Sequence, residues 1–455
     1  MIVSFSVSNF RSFAAEETLS LVASNRFSKN QECHAISIPD SDEKVLRTAV
    51  IYGANGAGKS NLFKALSYLE MMALNPRKKD TGTGRETFRF SKEQDQPSSF
   101  DLRFVASGKL YRFGFKADDQ RIMEEWLAQV IGGREKELYE RITDPEGKVT
   151  IEAKGLKAAG EKLTALATVG GPQNQTFLAT IWATLDPSDY GDELQGVLNW
   201  FENDLYRIGP SATFQRLGHL LNEDTGFKEF AGDFLKSSST GVDHLEVLKV
   251  KITEEQLSQF LSESDFAGML RDLQKDGNAE VKIGEDLEVL GERTGESHYY
   301  VRTIQAAHEH QPGQVIPLEL TEESDGTRRL LNLIPALYHL RRNDGVYFID
   351  EIDRSMHPML VWKFLEFFLK SCEGGQRQII VTTHESNLLD LDLLRRDEIW
   401  FAEKDPTGAT KLYSLADFGI RKDLEIRKHY LQGRFGAVPF LGNLDRLLPK
   451  EEQPA

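Results

Sequence analysis

Only two cysteines, Cys33 and Cys372, occur in the 455 residues of the chain. Two distant thiols make no disulfide framework, so a reducing compartment, the cytoplasm, is the expectation. No run of 18 apolar residues occurs, so no membrane-spanning helix and no membrane partner are expected. The opening stretch "MIVSFSVSNFRSF" reads as a strand and lacks the charged-then-apolar layout of an export signal. Positive charge is in deficit: 71 acidic residues stand against 55 basic ones, for a net charge of −16. Wide, non-specific wrapping of nucleic acid relies on Lys and Arg to neutralise phosphates, so charge does not indicate nucleic acid as a partner; only a local basic patch could hold it. Heptads sustained over three or four repeats are missing, which argues against long coiled-coil arms. Internal repeats are missing as well, and only the tail "PKEEQPA" reads as disordered.

What is present points to phosphate chemistry. The apolar strand Thr48–Tyr52, "TAVIY", runs into Gly53-Ala54-Asn55-Gly56-Ala57-Gly58-Lys59-Ser60, and a helix with Leu62, Phe63, Leu66 and Leu69 follows. Strand, G-x4-G-K-[ST] loop and helix together are a P-loop. Its glycines let backbone N–H groups approach phosphates, and the helix N-terminus adds its positive end. Lys59 is expected on the β- and γ-phosphates and Ser60 on Mg²⁺. A second stretch, "GVYFIDEIDRSMHP", ends a buried strand in Asp350 and Glu351. Acids at the C-terminal end of a parallel strand sit where α/β sheets bind ligands. Asp350 is expected to hold Mg²⁺, directly or through water, and Glu351 to orient or polarise the attacking water.

Thirty residues on, the strand in "QIIVTTHESNLLD" ends in Thr382-Thr383-His384. Of ten histidines, His384 is the one placed to reach a γ-phosphate or the attacking water. His357 reads as a turn residue ahead of a helix begun by Pro358. Ser324-Asp325-Gly326-Thr327 precedes a periodic helix with Leu330, Leu333, Ile334, Leu337 and Leu340. Two readings fit this loop. It is a capped helix start with Ser324 or Asp325 as the cap, or it is a second phosphate-ready loop that covers nucleotide held by another copy of the chain.

The order of these motifs resembles the ABC-type ATPase heads of SMC-like, RecF-like and OLD-family proteins. The segments carrying the likeness are "FSVSNFRSF", "YGANGAGKSNL", "EESDGTRRL", "IDEIDRSMHP", "TTHESNLL" and "YLQGRFGAVPF". More narrowly the chain resembles bacterial ATPases grouped with RloA and the abortive-infection AbiL type, and more distantly the ATPase subunit of the PARIS anti-phage system. The resemblance implies an α/β P-loop NTPase head with a β-rich N-terminal lobe. It implies ATP and Mg²⁺ as ligands, and Gly53, Asn55, Gly56, Ala57, Gly58, Lys59, Ser60 and Asn61 around the nucleotide. Arg11 would lie near the nucleotide of its own copy. Ser324, Gly326 and Thr327 would contact the γ-phosphate across a head-to-head homodimer, or a higher oligomer of such dimers. Glu351 would be the catalytic glutamate and His384 the switch histidine. The signature reads SDGT where transporters have LSGGQ, and Gln94 and Gln96 are the candidates for a Q-loop glutamine.

The motif positions suggest three parts: residues 1–145 as a lobe of antiparallel strands with the P-loop, 146–300 as a mainly helical insertion, and 301–455 as the lobe with SDGT, Asp350-Glu351 and His384. In the first part, Ser107-Gly108 and Asp118-Asp119 read as turns between strands. OLD-family nucleases carry a TOPRIM domain after the ATPase core. The 71 residues after His384 are too few for one, and Asp390, Asp392, Asp397 and Glu398 read as a charged helix with its cap. A nuclease or toxin effector would then be a separate protein from a neighbouring gene. The expected function is an ATP-hydrolysing sensor in anti-phage defence. The alternatives are an SMC- or RecF-like ATPase acting on DNA in repair or chromosome maintenance, and a scaffold that binds ATP without turning it over.

Overall fold

A computed structural model of the chain describes residues 1–27, 32–78, 81–90, 95–156, 160–284, 287–294, 296–311, 313–371, 374–419 and 425–438. Gln94, Cys372, the tail "PKEEQPA" and the last two residues of "YLQGRFGAVPF" lie outside them. The chain divides into two compact units that interleave along the sequence. One comprises residues 1–208, 344–352 and 373–455; the other comprises 209–343 and 353–372.

The first unit holds a six-stranded sheet in the order Leu205–Ile208, Gly345–Ile349, Arg377–Thr383, Thr48–Tyr52, Ile399–Lys404, Thr410–Ser414. The first five strands are parallel and the last pairs antiparallel. Every residue of Thr48–Tyr52 and of Gly345–Ile349 is buried. Such continuous apolar strands are what a parallel sheet covered on both faces requires. A second, antiparallel sheet contains Ile2–Ser8, Glu17–Ser20, Ser98–Ala106, Lys109–Ala117, Ile122–Ile131, Arg134–Thr143 and Val149–Glu152. Its hairpins follow the turn chemistry of the sequence. Ser107 and Gly108 both take positive φ, 48° and 71°, the two-residue turn that matches strand twist. The helix Lys59–Leu74 shares one apolar core with side chains of both sheets, among them Phe100, Phe104, Phe348 and Ile380.

The expected break near residue 145 falls instead at 208. Helix Phe177–Thr184 has Thr176 as its N-cap, and the backbone N–H groups of Phe177 and Leu178 donate to the buried Glu125 carboxylate. The chain then closes the parallel sheet with its edge strand Leu205–Ile208. Residues 146–208 are thereby committed to the first unit.

The second unit carries the helices Thr225–Ser237, Glu263–Asp276, Asp325–Leu340 and Pro358–Ser371. It also carries a five-stranded antiparallel sheet built from His244–Ile252, Asn278–Ile283, Leu287–Thr294, Glu296–Gln311 and Gln314–Glu319. Helix and sheet thus share the second unit. Glu263–Asp276 packs Met269 and Leu273 against Val289 and Tyr299 to form a small separate core.

Candidate functional site

In the first unit, the P-loop follows the strand Thr48–Tyr52 and opens the helix Lys59–Leu74. Gly56 and Gly58 take φ of 78° and 112°, a conformation that favours glycine. A Cβ on Gly58 would lie 2.0 Å from Thr410 Oγ1, while one on Gly56 would meet nothing within 4 Å. The loop is thus packed from behind and open at its crest. Lys59 is buried, and its ammonium donates to the carbonyls of Gly53 (2.7 Å) and Ala54 (3.2 Å) and to His384 Nδ1 (3.2 Å). Ser60 stands half-buried at the second helical position.

The acids arrive on the neighbouring strands. Asp350 is buried and follows the strand Gly345–Ile349; its backbone N–H donates to Ile208 O. Glu351, half-buried, has φ of 49°. A non-glycine residue in that region carries strain of roughly 1–3 kcal/mol and is held there by its surroundings. The holder is Thr382. Its hydroxyl accepts from the Glu351 N–H at 2.8 Å and donates to Asp350 Oδ1 at 2.5 Å. Two residues on, His384 is exposed and faces Lys59. Lys59, Asp350, Glu351 and His384 therefore gather at the C-terminal ends of three adjacent parallel strands. The side chains fit a nucleotide with its cation: a loop open at the crest, a lysine held on loop carbonyls, and a hydroxyl and a carboxylate of the hard-oxygen type that Mg²⁺ prefers.

Other expected residues have different company. The Asn61 amide donates to Ser12 Oγ at 2.8 Å, and Thr410 Oγ1 lies 2.7 Å from Ser12 Oγ and 2.8 Å from Ala57 O. Asn61 therefore fastens the P-loop helix to the segment "NFRSF". That segment is a tight turn in which Phe10 and Phe13 exchange backbone hydrogen bonds, and Arg11, at φ 50°, pairs with Glu86. Of the Q-loop candidates, Gln96 offers its backbone carbonyl to Asn9 and Arg85. The late acids form no metal cluster among the described residues. Asp397 pairs with Arg395, and Glu398 meets His34 at 2.9 Å; both acids lie in the one-turn 3-10 helix Arg396–Glu398, capped by Arg395. Burial pushes the Glu398 carboxyl above its ordinary range. Thr382 carries no signal in the sequence, because a threonine at a strand end has no pattern until the neighbouring strand is known.

In the second unit, Ser324 is the N-cap of Asp325–Leu340. Its hydroxyl accepts from the Thr327 N–H at 3.1 Å and lies 2.9 Å from Thr327 Oγ1. A Cβ on Gly326 would sit 2.6 Å from Ser355 O, so the glycine lets the helix start lie against the chain that follows the strand of Asp350. Ser324 is exposed, and 72% of the Asp325 side-chain surface is open. A cavity of about 590 Å³ is lined by Ser324, Gly326, Thr327, Ser355, His357 and Lys363, among others. His357 shapes the start of the following helix as expected, its Nδ1 accepting from the Met359 N–H.

No curated protein matches the chain significantly. Among solved structures, the SMC head domain from Thermotoga maritima is similar at 12% identity and TM-score 0.37, with 91% of this chain and 98% of that one covered. An SMC head bound to the C-terminal winged-helix domain of ScpA shows 13% identity and TM-score 0.39, over 91% and 97%. A Pyrococcus furiosus complex of an SMC head with an extended coiled coil and the C-terminal domain of ScpA shows 10% and 0.34, over 91% and 96%. Among the described residues no helix is long and apolar enough to cross a membrane. A family model described as "AAA domain, putative AbiEii toxin, Type IV TA system" matches residues 49–156 and 194–390, which include the P-loop, SDGT, Asp350-Glu351 and His384. With well over half of its length matched, the chain belongs to this AAA family.

Proposed function

We propose that the chain binds and hydrolyses ATP with Mg²⁺, and that two copies close over the nucleotide to form a switch controlling a separate effector in bacterial anti-phage defence. The observation that carries this reading is the Asp350–Thr382–Glu351 arrangement beside Lys59 and His384. Lys59 leaves the carbonyls of Gly53 and Ala54 to meet the β- and γ-phosphates. Ser60 and Asp350 hold the cation, which when bound neutralises charge on those phosphates. Glu351, its backbone fixed by Thr382, orients the attacking water and takes its proton. His384 exchanges its bond to Lys59 for one to the γ-phosphate or the water. Ser324, Gly326 and Thr327 of a second copy close the site from outside; the exposure of Ser324 and Asp325 supports this role.

The family's description as part of a toxin–antitoxin system supports the defence role. Lys59→Ala is expected to abolish ATP turnover, and undiminished hydrolysis in that variant would refute the site. Co-purification of the tagged chain with the products of neighbouring genes, with and without ATP, tests the effector. A nuclease or toxin whose capture depends on ATP is the expected result.

A further inference from the structure

Three phenylalanines of the second unit are only half-buried, and they meet one another. Phe230 and Phe234 lie on the helix Thr225–Ser237, and Phe367 lies on the helix Pro358–Ser371. The Phe367 ring centroid is 5.7 Å from each of the other two, with its plane at 90° to Phe234. The rings thus bridge the two helices, and they line a cavity of about 630 Å³. Soluble chains rarely leave a contiguous apolar patch open unless something binds it.

The cavity has a helical period on both walls. Phe230, Asp233, Phe234 and Ser237 line it from one helix, at i, i+3, i+4 and i+7. Leu360, Lys363, Phe367 and Lys370 line it from the other, at i, i+3, i+7 and i+10. Residues so spaced share one face of a helix, so the cavity is a trough running between two helices. The helical rise from Leu360 to Lys370 makes it about 15 Å long. All these residues belong to the second unit.

Its rim is positive. Lys363 and Lys370 share one carboxylate, that of Glu366, at 2.8 and 2.6 Å. Arg341 is exposed, with its guanidinium over the Phe230 ring at 4.9 Å, and meets no carboxylate among the described residues. The other acid of the rim, Asp233, shares its charge with Lys236 on the same helix. A chain of net charge −16 therefore carries a local surplus of cations around an apolar trough.

We propose that this trough docks an amphipathic helix of another protein, about three turns long, with an apolar stripe on the phenylalanine rings and acidic residues against Lys370 and Arg341. Length, period and charge each support that occupant: a helix lays its i, i+3, i+4 and i+7 anchors into a groove of this kind, and opposite charge on the rim selects among such helices. The site is separate from the nucleotide reading and does not depend on it.

The test is fluorescence anisotropy of the full chain with two fluorescein-labelled helical peptides of about twelve residues. Both carry leucine at i, i+3, i+4, i+7 and i+8; one has glutamate elsewhere, the other lysine. The glutamate peptide is expected to bind with a Kd of roughly 1–100 μM, and the lysine peptide at least about tenfold more weakly. The overall charge of −16 favours the opposite order, so this preference reports the trough. Arg341→Glu combined with Lys370→Glu is expected to reverse it; both side chains are exposed, so the fold is retained. Phe234→Ala is expected to weaken the glutamate peptide by about tenfold, with circular dichroism checking that this half-buried position still folds. Binding of neither peptide, a preference that charge reversal leaves unchanged, or full affinity in Phe234→Ala overturns the proposal. So does saturation by anilinonaphthalene sulfonate that no peptide displaces, which assigns the trough to a small molecule. The ATPase reading stands in each case.

Discussion

At the scale of the residue, Thr382 ties the site together. Its hydroxyl donates to one neighbour and accepts from the other, so a single oxygen sets the Asp350 carboxylate and the strained Glu351 backbone at once. Thr382→Val keeps the shape and removes both bonds. Removing a hydroxyl from a buried pair costs about 1–3 kcal/mol, which a thermal melt would register. The sharper expectation is kinetic: kcat falls by at least about tenfold while ATP affinity holds, because the lost bonds position groups that act in the chemical step. Equal losses in binding and turnover would assign Thr382 a purely structural role. The residues of the P-loop, Asp350, Glu351 and His384 were legible in the sequence because their spacing is local to a strand end. Thr382 was not, since its role exists only where the strands Gly345–Ile349 and Arg377–Thr383 lie side by side. The Asn61 amide goes to Ser12, a contact that likewise has no sign in the sequence until the segment "NFRSF" is placed beside the P-loop helix.

At the scale of the element, the helix Asp325–Leu340 joins a surface role at one end to burial at the other. Its N-terminus is set by Ser324 and by the missing Cβ of Gly326. Toward its C-terminus sits His339, whose imidazole burial holds below its ordinary value of 6.5. The sign follows from linkage. The folded state binds its proton less readily than the unfolded chain, so the unfolded chain takes up more protons as pH falls through 6.5. Stability is therefore lost on acidification through that point and kept above it. His339→Gln is expected to flatten the dependence of the melting temperature on pH between about 7 and 5. An unchanged slope would place the acid sensitivity elsewhere. Hairpins with clear turn chemistry were readable from sequence, as the turn at Ser107-Gly108 shows. The sheet of the second unit was not. His244–Ile252, "HLEVLKVKI", leaves most of its residues partly or fully exposed, so it reads as polar chain until its partner Glu296–Gln311 supplies the pairing.

At the scale of the whole molecule, the proposed switch needs two copies. A chain of net charge −16 repels its own kind, so closure has to be driven by the nucleotide. Moving a two-state equilibrium from 1:99 to 99:1 takes about 5.5 kcal/mol of differential binding. A few charge-assisted hydrogen bonds to a γ-phosphate, at roughly 1.5–3 kcal/mol each, suffice. Glu351→Gln, which keeps the grip and loses the base, is expected to sediment as a dimer with ATP and as a monomer with ADP. The stricter test mixes two dead variants. Lys59→Ala lacks the phosphate grip but keeps its SDGT loop; Ser324→Arg keeps the grip but blocks its own SDGT loop. In a symmetric pair, each site takes a P-loop from one copy and SDGT from the other. A mixed dimer then holds one site with both defects and one with neither. Half the dimers in an equal mixture are mixed, so activity should return to about a quarter of the wild-type value. If each copy hydrolysed ATP with its own loops alone, both variants would stay dead in any mixture. Recovery on mixing is therefore a signature that only a shared site produces.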